Sequence, residues 1–303
     1  MAPAPHDGGS GSPARMTRFD DLYDQPDPRA YFRVLGALDY RTPQHAQGVF
    51  RRLLRAAVAA APEDRAAGRR PATVLDLCCS YGINAALLNH DVTLAELAAH
   101  YTSAAAAGLS TAELIEQDRQ FYAARRRPDA VPVVGIDIAA PAIGYARAVG
   151  LLDAAFAENL ETAEPSPALR RALGGLRLIT VTGGASFLSA RTFRSLLAED
   201  AAREGGRDLP WVAAFVLRTG SYRPIADGLA RLGLTTEKDG TRTYPQRRFT
   251  DADEQKYAVA AVTAAGDDPS GKESLGHFHT TLYVSRPAAQ AAAQPLSTLL
   301  PTP

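Results

Sequence analysis

The chain has 303 residues, with 33 basic and 33 acidic side chains, so its formal net charge at pH 7 is zero. This balance gives no overall field that would attract nucleic acid or an anionic membrane surface, and neither partner is expected. The length fits one large α/β domain or two small ones. The two cysteines of the sequence, Cys78 and Cys79, are adjacent, which excludes a disulfide framework and a structural zinc site and favours a reducing cytoplasm.

The two ends of the chain differ in composition from the rest. Residues 1–17 are rich in Pro, Gly and Ser and lack the apolar stretch of a signal peptide, and residues 288–303 are rich in Ala, Gln and Pro. Both are expected to be disordered tails. No apolar run approaches 18 residues, so no membrane span is predicted. Residues 18–70 are expected to form an N-terminal helical cap. Its first helix is expected to start with Asp27 as N-cap and Pro28 as the first helical residue.

Residues 71–287 alternate between short apolar runs and amphipathic segments. The first run, residues 73–77, ends in a tight turn followed by a helix, and the second, residues 131–137, ends in Asp137. Strands that alternate with helices predict a doubly wound, mostly parallel α/β sheet. We expect seven strands, the last antiparallel, and the remaining strand segments are near residues 156–160, 176–182, 211–217, 234–237 and 278–284.

An insertion follows the first strand and helix. Asp76 and Asp137 are 61 positions apart, whereas a nucleotide-binding unit places about 20 residues between its turn and its acid. Two capping-box sequences within the interval, at residues 93–96 and 110–113, predict helix starts. We interpret residues 89–128 or so as a helical lid over a substrate at the carboxyl end of the sheet, with a packing decoration as the alternative.

The turn Asp76-Leu-Cys78-Cys-Ser80-Tyr-Gly82 resembles the first motif of the class I S-adenosylmethionine-dependent methyltransferase superfamily. That motif has an acid at the end of the first strand, followed by small residues at three alternating positions. Asp76 and Gly82 match it, while Cys78 and Ser80 stand where the family usually has glycine. Cysteine and serine are small, but they adopt positive φ angles less readily than glycine.

Later segments resemble further motifs of this superfamily in the same order. Residues 133–138 resemble the segment whose acid accepts hydrogen bonds from the ribose hydroxyls, residues 157–160 the segment at the adenine, and residues 178–184 the fourth-strand motif at the methyl-transfer site. The reversed last strand is matched by residues 280–286. The resemblance implies a Rossmann-like fold with S-adenosylmethionine as cofactor, contacted by Asp76, Cys78, Ser80, Gly82, Asp137, Ile138, Asn159, Leu160 and Thr182. It also places Tyr23 and Tyr31 over the cofactor, with a packing role in the core as the alternative.

Catalytic side chains are less clearly indicated than the cofactor site. Methyl transfer from a sulfonium requires a base only where the acceptor loses a proton. The candidates near the expected cleft are Tyr81, Asn84 and His90. His277 and His279 alternate on one strand face, but no third ligand accompanies them, so no metal site is predicted.

Three hypotheses about function follow. The first is an S-adenosylmethionine-dependent methyltransferase that acts on a small molecule. The second is an enzyme of the same fold that cyclises or transfers the aminobutyryl group and releases methylthioadenosine, which the altered positions Cys78 and Ser80 suggest. The third is a non-catalytic cofactor-binding protein. The sequence leaves the acceptor, the pathway and the oligomeric state open.

Overall fold

A computed structural model describes residues 16–61, 71–204 and 209–300. The tail expected at residues 1–17 lies almost wholly outside these ranges, as do residues 62–70 of the expected cap. Two helices precede the sheet, Arg29–Ala37 (α1) and Thr42–Ala59 (α2). Within the described ranges, no helix is long and apolar enough to cross a bilayer.

The described residues form one mixed sheet of eight strands at the centre of the fold. The strands are Thr73–Leu77 (β1), Val133–Ile136 (β2), Ala154–Phe156 (β3), Leu176–Thr182 (β4), Trp211–Leu217 (β5), Leu234–Lys238 (β6), Tyr244–Arg248 (β7) and His277–Pro287 (β8). Their order in the sheet is β3-β2-β1-β4-β5-β8-β6, with β7 paired to β8. The first five strands are parallel, and β8 runs antiparallel to β5, β6 and β7. The predicted fold class is confirmed, and the described sheet has one strand more than the seven expected.

Helices cover both faces of this sheet. Successive strand residues point to opposite faces, so Val74 and its neighbour Leu75 belong to different clusters of buried apolar residues. Two buried apolar clusters result, one on each side. The helices after β1 are Ile83–Asn89 (α3), Leu94–Thr102 (α4), Ala104–Ala107 (α5), Thr111–Ala123 (α6), Ala140–Ala148 (α7), Pro167–Ala172 (α8), Ala190–Glu204 (α9), Arg223–Ala230 (α10), Ala252–Ala264 (α11), Ala288–Ala293 (α12) and Leu296–Leu299 (α13).

The strand that the sequence did not predict is β7, and it connects the N-terminal helices to the sheet. One edge of β7 pairs with β8. Its other edge meets the connection between α1 and α2, where the Arg41 amide donates to the Gln246 carbonyl and the Arg248 amide donates to the Leu38 carbonyl, both at 2.7 Å. The strand was not predicted because its sequence, Tyr-Pro-Gln-Arg-Arg, contains a proline and no apolar alternation.

The insertion has the predicted capping boxes, at Thr93 with Glu96 and at Ser110 with Glu113. Its position differs from the expectation. Because α3 runs back antiparallel to β1, it ends at the edge where the strands begin. There the Asn89 side chain donates to the Val131 carbonyl at 2.7 Å and accepts from the Val131 amide at 3.1 Å. Both ends of the insertion therefore lie at the amino edge of the sheet, not at its carboxyl edge.

A buried carboxylate fastens the insertion to the core. Asp118 on α6 is fully buried and accepts hydrogen bonds from the Tyr101 hydroxyl at 2.5 Å, from the Tyr145 hydroxyl and from His100 Nε2 at 2.7 Å. Tyr145 belongs to α7, so this network joins the insertion to a core helix. These contacts favour the packing interpretation of the insertion over the lid.

The C-terminal segment also differs from the expected tail. Residues 288–299 form α12 and α13, and Leu296, Leu299 and Leu300 are buried in the same cluster as α2. The Trp211 indole donates to the Gln290 side chain at 2.6 Å. The three leucines follow the i, i+3, i+4 spacing of an amphipathic helix, which the alanine-rich and proline-rich composition obscured.

A buried ion pair between β7 and α11 holds the first described residues. Arg247 donates two hydrogen bonds to the Glu254 carboxylate, at 2.7 and 2.9 Å, and the amides of Thr17 and Thr250 also donate to it, each at 2.7 Å. Burial raises the pKa of Glu254, but the hydrogen bonds from Arg247 and from the backbone outweigh it and lower the pKa to about 2. Glu254 is therefore ionised in the folded protein.

We expect Glu254→Gln to lower the free energy of unfolding at pH 7 by about 3 kcal/mol, since it leaves Arg247 buried without its partner. The folded-state pKa lies below the ordinary 4.5, so this stabilisation is complete above about pH 4.5 and is lost as the pH falls towards 2. Urea unfolding at pH 7 and pH 3 measures it. Asp253→Asn, in an exposed pair with Lys256, is the control and should change stability little. An equal loss for Glu254→Gln at both pH values would contradict this origin.

Candidate functional site

The two acids singled out from the sequence lie at the same edge of the sheet. β1 and β2 are parallel neighbours, with Leu77 opposite Ile136. Asp76 is the penultimate residue of β1, and Asp137 directly follows β2. Asp76 is 1% exposed, whereas Asp137 is half-buried. Both acids therefore lie at the carboxyl edge of neighbouring parallel strands.

The turn after β1, residues 78–82, has three positive φ angles, which are typical of glycine, although Gly82 is its one glycine. The φ angles of Cys78, Ser80 and Gly82 are 56°, 52° and 75°. For a residue with a side chain, this left-handed conformation costs roughly 1–2 kcal/mol. Such strain is concentrated at functional sites. A Cβ on Gly82 would lie 3.1 Å from the Cβ of Ala146, so the helix that begins there also packs closely against α7.

Asp137 joins this turn to the end of β2 by hydrogen bonds. The Ser80 amide donates to Asp137 Oδ2 at 2.8 Å, and the Ala139 amide donates to Oδ1 at 3.0 Å. Each carboxylate oxygen keeps a further lone pair, so the half-buried group can still accept two hydroxyl donors from a ligand. The next residue, Ile138, is 72% exposed, which presents an apolar side chain at the rim beside the carboxylate.

Asp76 is the buried centre of a polar network. It accepts from the Thr180 hydroxyl at 2.7 Å and from Asn84 Nδ2 at 3.0 Å, and the same Asn84 nitrogen donates to the Thr182 hydroxyl at 2.7 Å. Burial raises the pKa of Asp76 to about 7 despite these hydrogen bonds, with a smaller contribution from the charge of Asp137. Asn84 Oδ1 and Ser80 Oγ are buried beside this network without a partner in the described structure. Buried polar atoms without partners are rare, and a ligand is one explanation.

The raised pKa of Asp76 predicts a pH-dependent stability. Because its folded-state value of about 7 exceeds the ordinary 3.8, the folded protein keeps a proton that the unfolded chain has lost between about pH 4 and pH 7. The free energy of unfolding therefore falls as the pH rises through that window. We expect Asp76→Asn to remove this slope, as measured by urea unfolding from pH 4 to pH 8 without cofactor. A slope that persists in the variant would assign it to another group.

Of the two N-terminal tyrosines expected over the cofactor, Tyr31 does not line this edge. Tyr31 is 5% exposed, and its ring packs against Phe32 and Tyr81 at centroid distances of 5.1 and 6.0 Å. It belongs to the aromatic core. The Tyr40 hydroxyl instead lies 3.0 Å from the place that a Cβ on Gly183 would occupy, directly after β4.

Tyr23 packs against Tyr31 at a centroid distance of 6.2 Å and lies near Asp137. Burial raises the pKa of Tyr23, and Tyr40, Asp137 and Cys78 raise it further. Tyr23 is thus close enough to Asp137 to sense its charge. Tyr40 had no sequence signal, since it stands in a connection without a motif, and only the pairing of that connection with β7 places it here.

Of the three catalytic candidates, the structure brings only Asn84 to the acids. His90 follows the C-terminal end of α3, at the opposite edge of the sheet, where its Nδ1 lies 3.1 Å from the Ala86 carbonyl and its ring packs on Tyr122. The Tyr81 hydroxyl lies within hydrogen-bond distance of the carbonyls of Leu22 and Gln25. That hydroxyl holds the N-terminal segment and is not free for chemistry.

The residues expected at the adenine and at the methyl group lie in different environments. Asn159 is exposed after β3, and its Oδ1 accepts from the Glu161 amide at 3.0 Å. Leu160 is 4% exposed and its side chain belongs to the core, so that side chain is not at the surface of the site. Thr182 ends β4 and accepts from Asn84.

Residues that could hold a metal do not converge in the described part of the chain. There, no three His, Cys, Asp or Glu side chains are grouped for this purpose. His277 lies 3.5 Å from Asp39, and His279 hydrogen-bonds to the Thr243 hydroxyl at 3.0 Å.

No protein-family profile matches the sequence, and no curated protein is similar to it. Some solved structures are similar to it at low identity and with TM-scores below 0.5. A TehB-like SAM-dependent methyltransferase from Corynebacterium glutamicum is 14% identical, with a TM-score of 0.32, over 80% of this chain and 98% of that one. The mitomycin 7-O-methyltransferase MmcR is 13% identical, with a TM-score of 0.36, over 89% of this chain and 61% of that one. The plantazolicin methyltransferase BamL, solved in complex with a triazolic desmethylPZN analog and SAH, is 10% identical, with a TM-score of 0.32, over 89% of this chain and 99% of that one. The order and directions of the strands confirm the doubly wound, mostly parallel sheet with an antiparallel last strand that the sequence predicts.

Proposed function

We propose, from the class I S-adenosylmethionine-dependent methyltransferase fold that the chain adopts, that this protein binds S-adenosylmethionine and transfers its methyl group to a small molecule. The observation that carries the proposal is the half-buried carboxylate of Asp137, tied by the Ser80 amide to a turn with three positive φ angles. A carboxylate at the end of the second strand beside such a turn suits a ribose diol.

The residues at this edge fit the cofactor. Asp137 has free lone pairs for the ribose hydroxyls, and the exposed Ile138 offers an apolar contact for the adenine face. The unpartnered oxygens of Ser80 and Asn84 would accept hydrogen bonds from the ammonium group of the methionine portion. The left-handed turn at Gly82 leaves the first amides of α3 open to the same region.

Bound at this edge, the cofactor supplies a methyl group on a positively charged sulfur. Asp137 and the turn would fix the adenosyl and methionine portions, while Thr182, Gly183 and Gly184, at the end of β4, would border the reacting methyl. The bound cofactor would supply a methyl carbon open to attack by a lone pair of the acceptor, with the electron pair of the broken carbon–sulfur bond left on sulfur and any proton of the acceptor released to solvent. The protein's contribution is positioning and exclusion of water.

The test is the nucleoside product formed from labelled cofactor in the presence of a small-molecule extract. S-Adenosylhomocysteine supports methyl transfer, whereas methylthioadenosine would indicate transfer or cyclisation of the aminobutyryl group. Saturable binding with neither product would favour a non-catalytic role. Absence of saturable binding at millimolar cofactor would overturn the proposal.

A further inference from the structure

A cavity of about 490 Å³ lies between the sheet, the start of α10 and the end of α11. Its floor is one face of three neighbouring strands. Val216 on β5 is opposite Thr281 on β8, and Tyr283 on β8 is opposite Lys238 on β6, so these four side chains share that face. Sites for small organic ligands typically measure about 300–1,000 Å³. The cavity therefore has the size of such a site.

This cavity is separate from the proposed cofactor site. The acids of that site are at β1 and β2, whereas the cavity lies on β5, β8 and β6, on the other side of β4. It also opens on the opposite face of the sheet from α2. Phe215 packs against Phe50 of α2 at a centroid distance of 5.7 Å, and the next residue, Val216, belongs to the other apolar cluster. A ligand in the cavity would thus occupy a second site.

The floor of the cavity is polar, although a sheet face covered by helices is usually apolar. Thr281 is 3% exposed, and its hydroxyl forms no hydrogen bond to the residues that the structure describes. The hydroxyl of the half-buried Tyr283 likewise has no such bond, and its ring stacks on Tyr222 at a centroid distance of 4.8 Å. Buried hydroxyls without a partner are rare in folded proteins. They indicate a polar group that enters the cavity.

Two cations at the cavity have hydrogen-bonding capacity that the protein does not use. Lys238 Nζ is 3.8 Å from Asp267 Oδ1, and Arg223 Nε is 3.8 Å from Asp227 Oδ2. Both separations are too long for hydrogen bonds. The side chain of Arg223 is 87% exposed and that of Lys238 is half-exposed. Both groups can therefore donate to a ligand.

A third cation, Arg218, stabilises the wall of the cavity. It is buried and donates to the Glu273 carboxylate at 2.6 Å and to the Asp268 carbonyl at 2.8 Å. Both acceptors belong to the segment between α11 and β8, which also carries Asp267 on the cavity wall. The hydrogen bonds of Arg218 thus shape the cavity, and Lys238 and Arg223 are left for a ligand.

Helix α10 begins at the cavity and adds a partial positive charge. The helix has eight residues and no side-chain cap at its N-terminus, and the three residues 221–223 line the cavity. Anions are favoured at such a helix end. Among the described residues that line the cavity, Asp267 is the one acid. Hydrogen-bond donors therefore outnumber acceptors, which favours a ligand rich in acceptor oxygens.

We propose that this cavity is a second binding site, for a small organic anion that carries a phosphate or a carboxylate group. The charged group lies between Lys238 and Arg223, at the start of α10. The hydroxyls of Thr281 and Tyr283 donate to its oxygens, and the apolar body of the ligand packs against Ala226. The site does not depend on the proposed function, because none of these residues belongs to the cofactor site.

The test is isothermal titration calorimetry with 1-naphthyl phosphate and 1-naphthoate, each compared with the uncharged 1-naphthalenemethanol. At least one anion should bind about 10-fold more tightly than the alcohol, and the tighter of the two identifies the charged group. Lys238→Gln and Arg223→Gln should each weaken binding of that anion about 10-fold, the equivalent of one hydrogen bond to a charged group. Ala226→Leu, at a partly exposed position of α10, fills the cavity and should weaken binding as much.

Lys256→Gln is the matched control. Lys256 is an exposed lysine of α11 that does not line the cavity, so its removal should change the Kd of the anion less than about 2-fold. Equal losses in Lys256→Gln and Lys238→Gln would overturn the site, because the anion would then be attracted by net charge alone. The midpoint of urea unfolding should be the same for the two lysine variants and for Arg223→Gln, and these three decide the test if Ala226→Leu is unstable.

No binding of either anion at millimolar concentration, or equal binding of the anions and the alcohol, would also overturn the site. The Kd for S-adenosylhomocysteine should change less than about 2-fold in Lys238→Gln and Arg223→Gln. A parallel loss of both ligands would place the anion in the cofactor site and would contradict a second site. Failure of S-adenosylhomocysteine to bind the wild type, with the anion still bound, would contradict the proposed function alone.

Discussion

Asp137→Asn is expected to weaken binding of S-adenosylmethionine by about 10-fold to 100-fold. A hydrogen bond to a charged group contributes roughly 1.5–3 kcal/mol, and each 1.4 kcal/mol corresponds to about a tenfold change in Kd. The amide of the variant retains one acceptor oxygen but presents an NH₂ group where the second oxygen accepts from Ser80. It therefore loses one ligand hydrogen bond and loosens the turn. Isothermal titration calorimetry with the cofactor and with S-adenosylhomocysteine measures the change.

The control for this variant is Asp153→Asn, at a carboxylate that holds the other end of β2. Asp153 Oδ2 accepts from the Val133 amide at 2.8 Å, so Asp153→Asn makes the same chemical change to a carboxylate that holds the start of β2. Both variants should lose about 1 kcal/mol of stability, the usual worth of one such bond. Only Asp137→Asn should lose affinity for the cofactor. Equal Kd values for the two variants would remove Asp137 from the binding site.

The sequence was sufficient for the parts of the fold that local patterns determine. Short apolar runs bounded by turns predict buried strands, and the capping boxes at Thr93 and Ser110 form as expected, because both depend on interactions within a few residues. The position of Asp76 and Asp137 at one edge was predictable, since neighbouring parallel strands end at a common edge. Only the order of the strands in space required the resemblance to a known family.

The remaining features depend on contacts between distant segments. β7 is a strand because it pairs with β8 and with the connection at residues 38–41, and its polar sequence carries no sign of this. Tyr40 reaches the site by the same pairing. His90 is close in sequence to the turn but at the far edge in space, since the seven-residue helix α3 separates the two. Residues that are close along the chain, such as His90 and the turn after β1, are therefore not necessarily close in the folded site.

Gly184→Ala is expected to destabilise the protein by about 1–3 kcal/mol, the usual cost of overpacking. Gly184 has φ −95° and ψ −5°, which any residue adopts, so the backbone is not the obstacle. The obstacle is Cys78, since a Cβ on Gly184 would lie 2.4 Å from the Cβ of Cys78 and 2.6 Å from its sulfur. The side chain that stands in place of the family's glycine is thus accommodated by a glycine on the facing turn.

Cys78→Gly should rescue Gly184→Ala, because the double variant returns glycine to the first turn and moves the side chain to the second. Alone, Cys78→Gly relieves a strained φ worth about 1–2 kcal/mol and adds roughly 0.5–1 kcal/mol of backbone entropy cost, so its net effect is small. Urea unfolding of the four proteins should give a favourable coupling of about 1–3 kcal/mol. Gly48→Ala on α2, where nothing lies within 4 Å, is the control and should stabilise the helix by about 1 kcal/mol. If the double variant is no more stable than Gly184→Ala, the two turns do not share this space, and the reason for a cysteine at position 78 lies elsewhere.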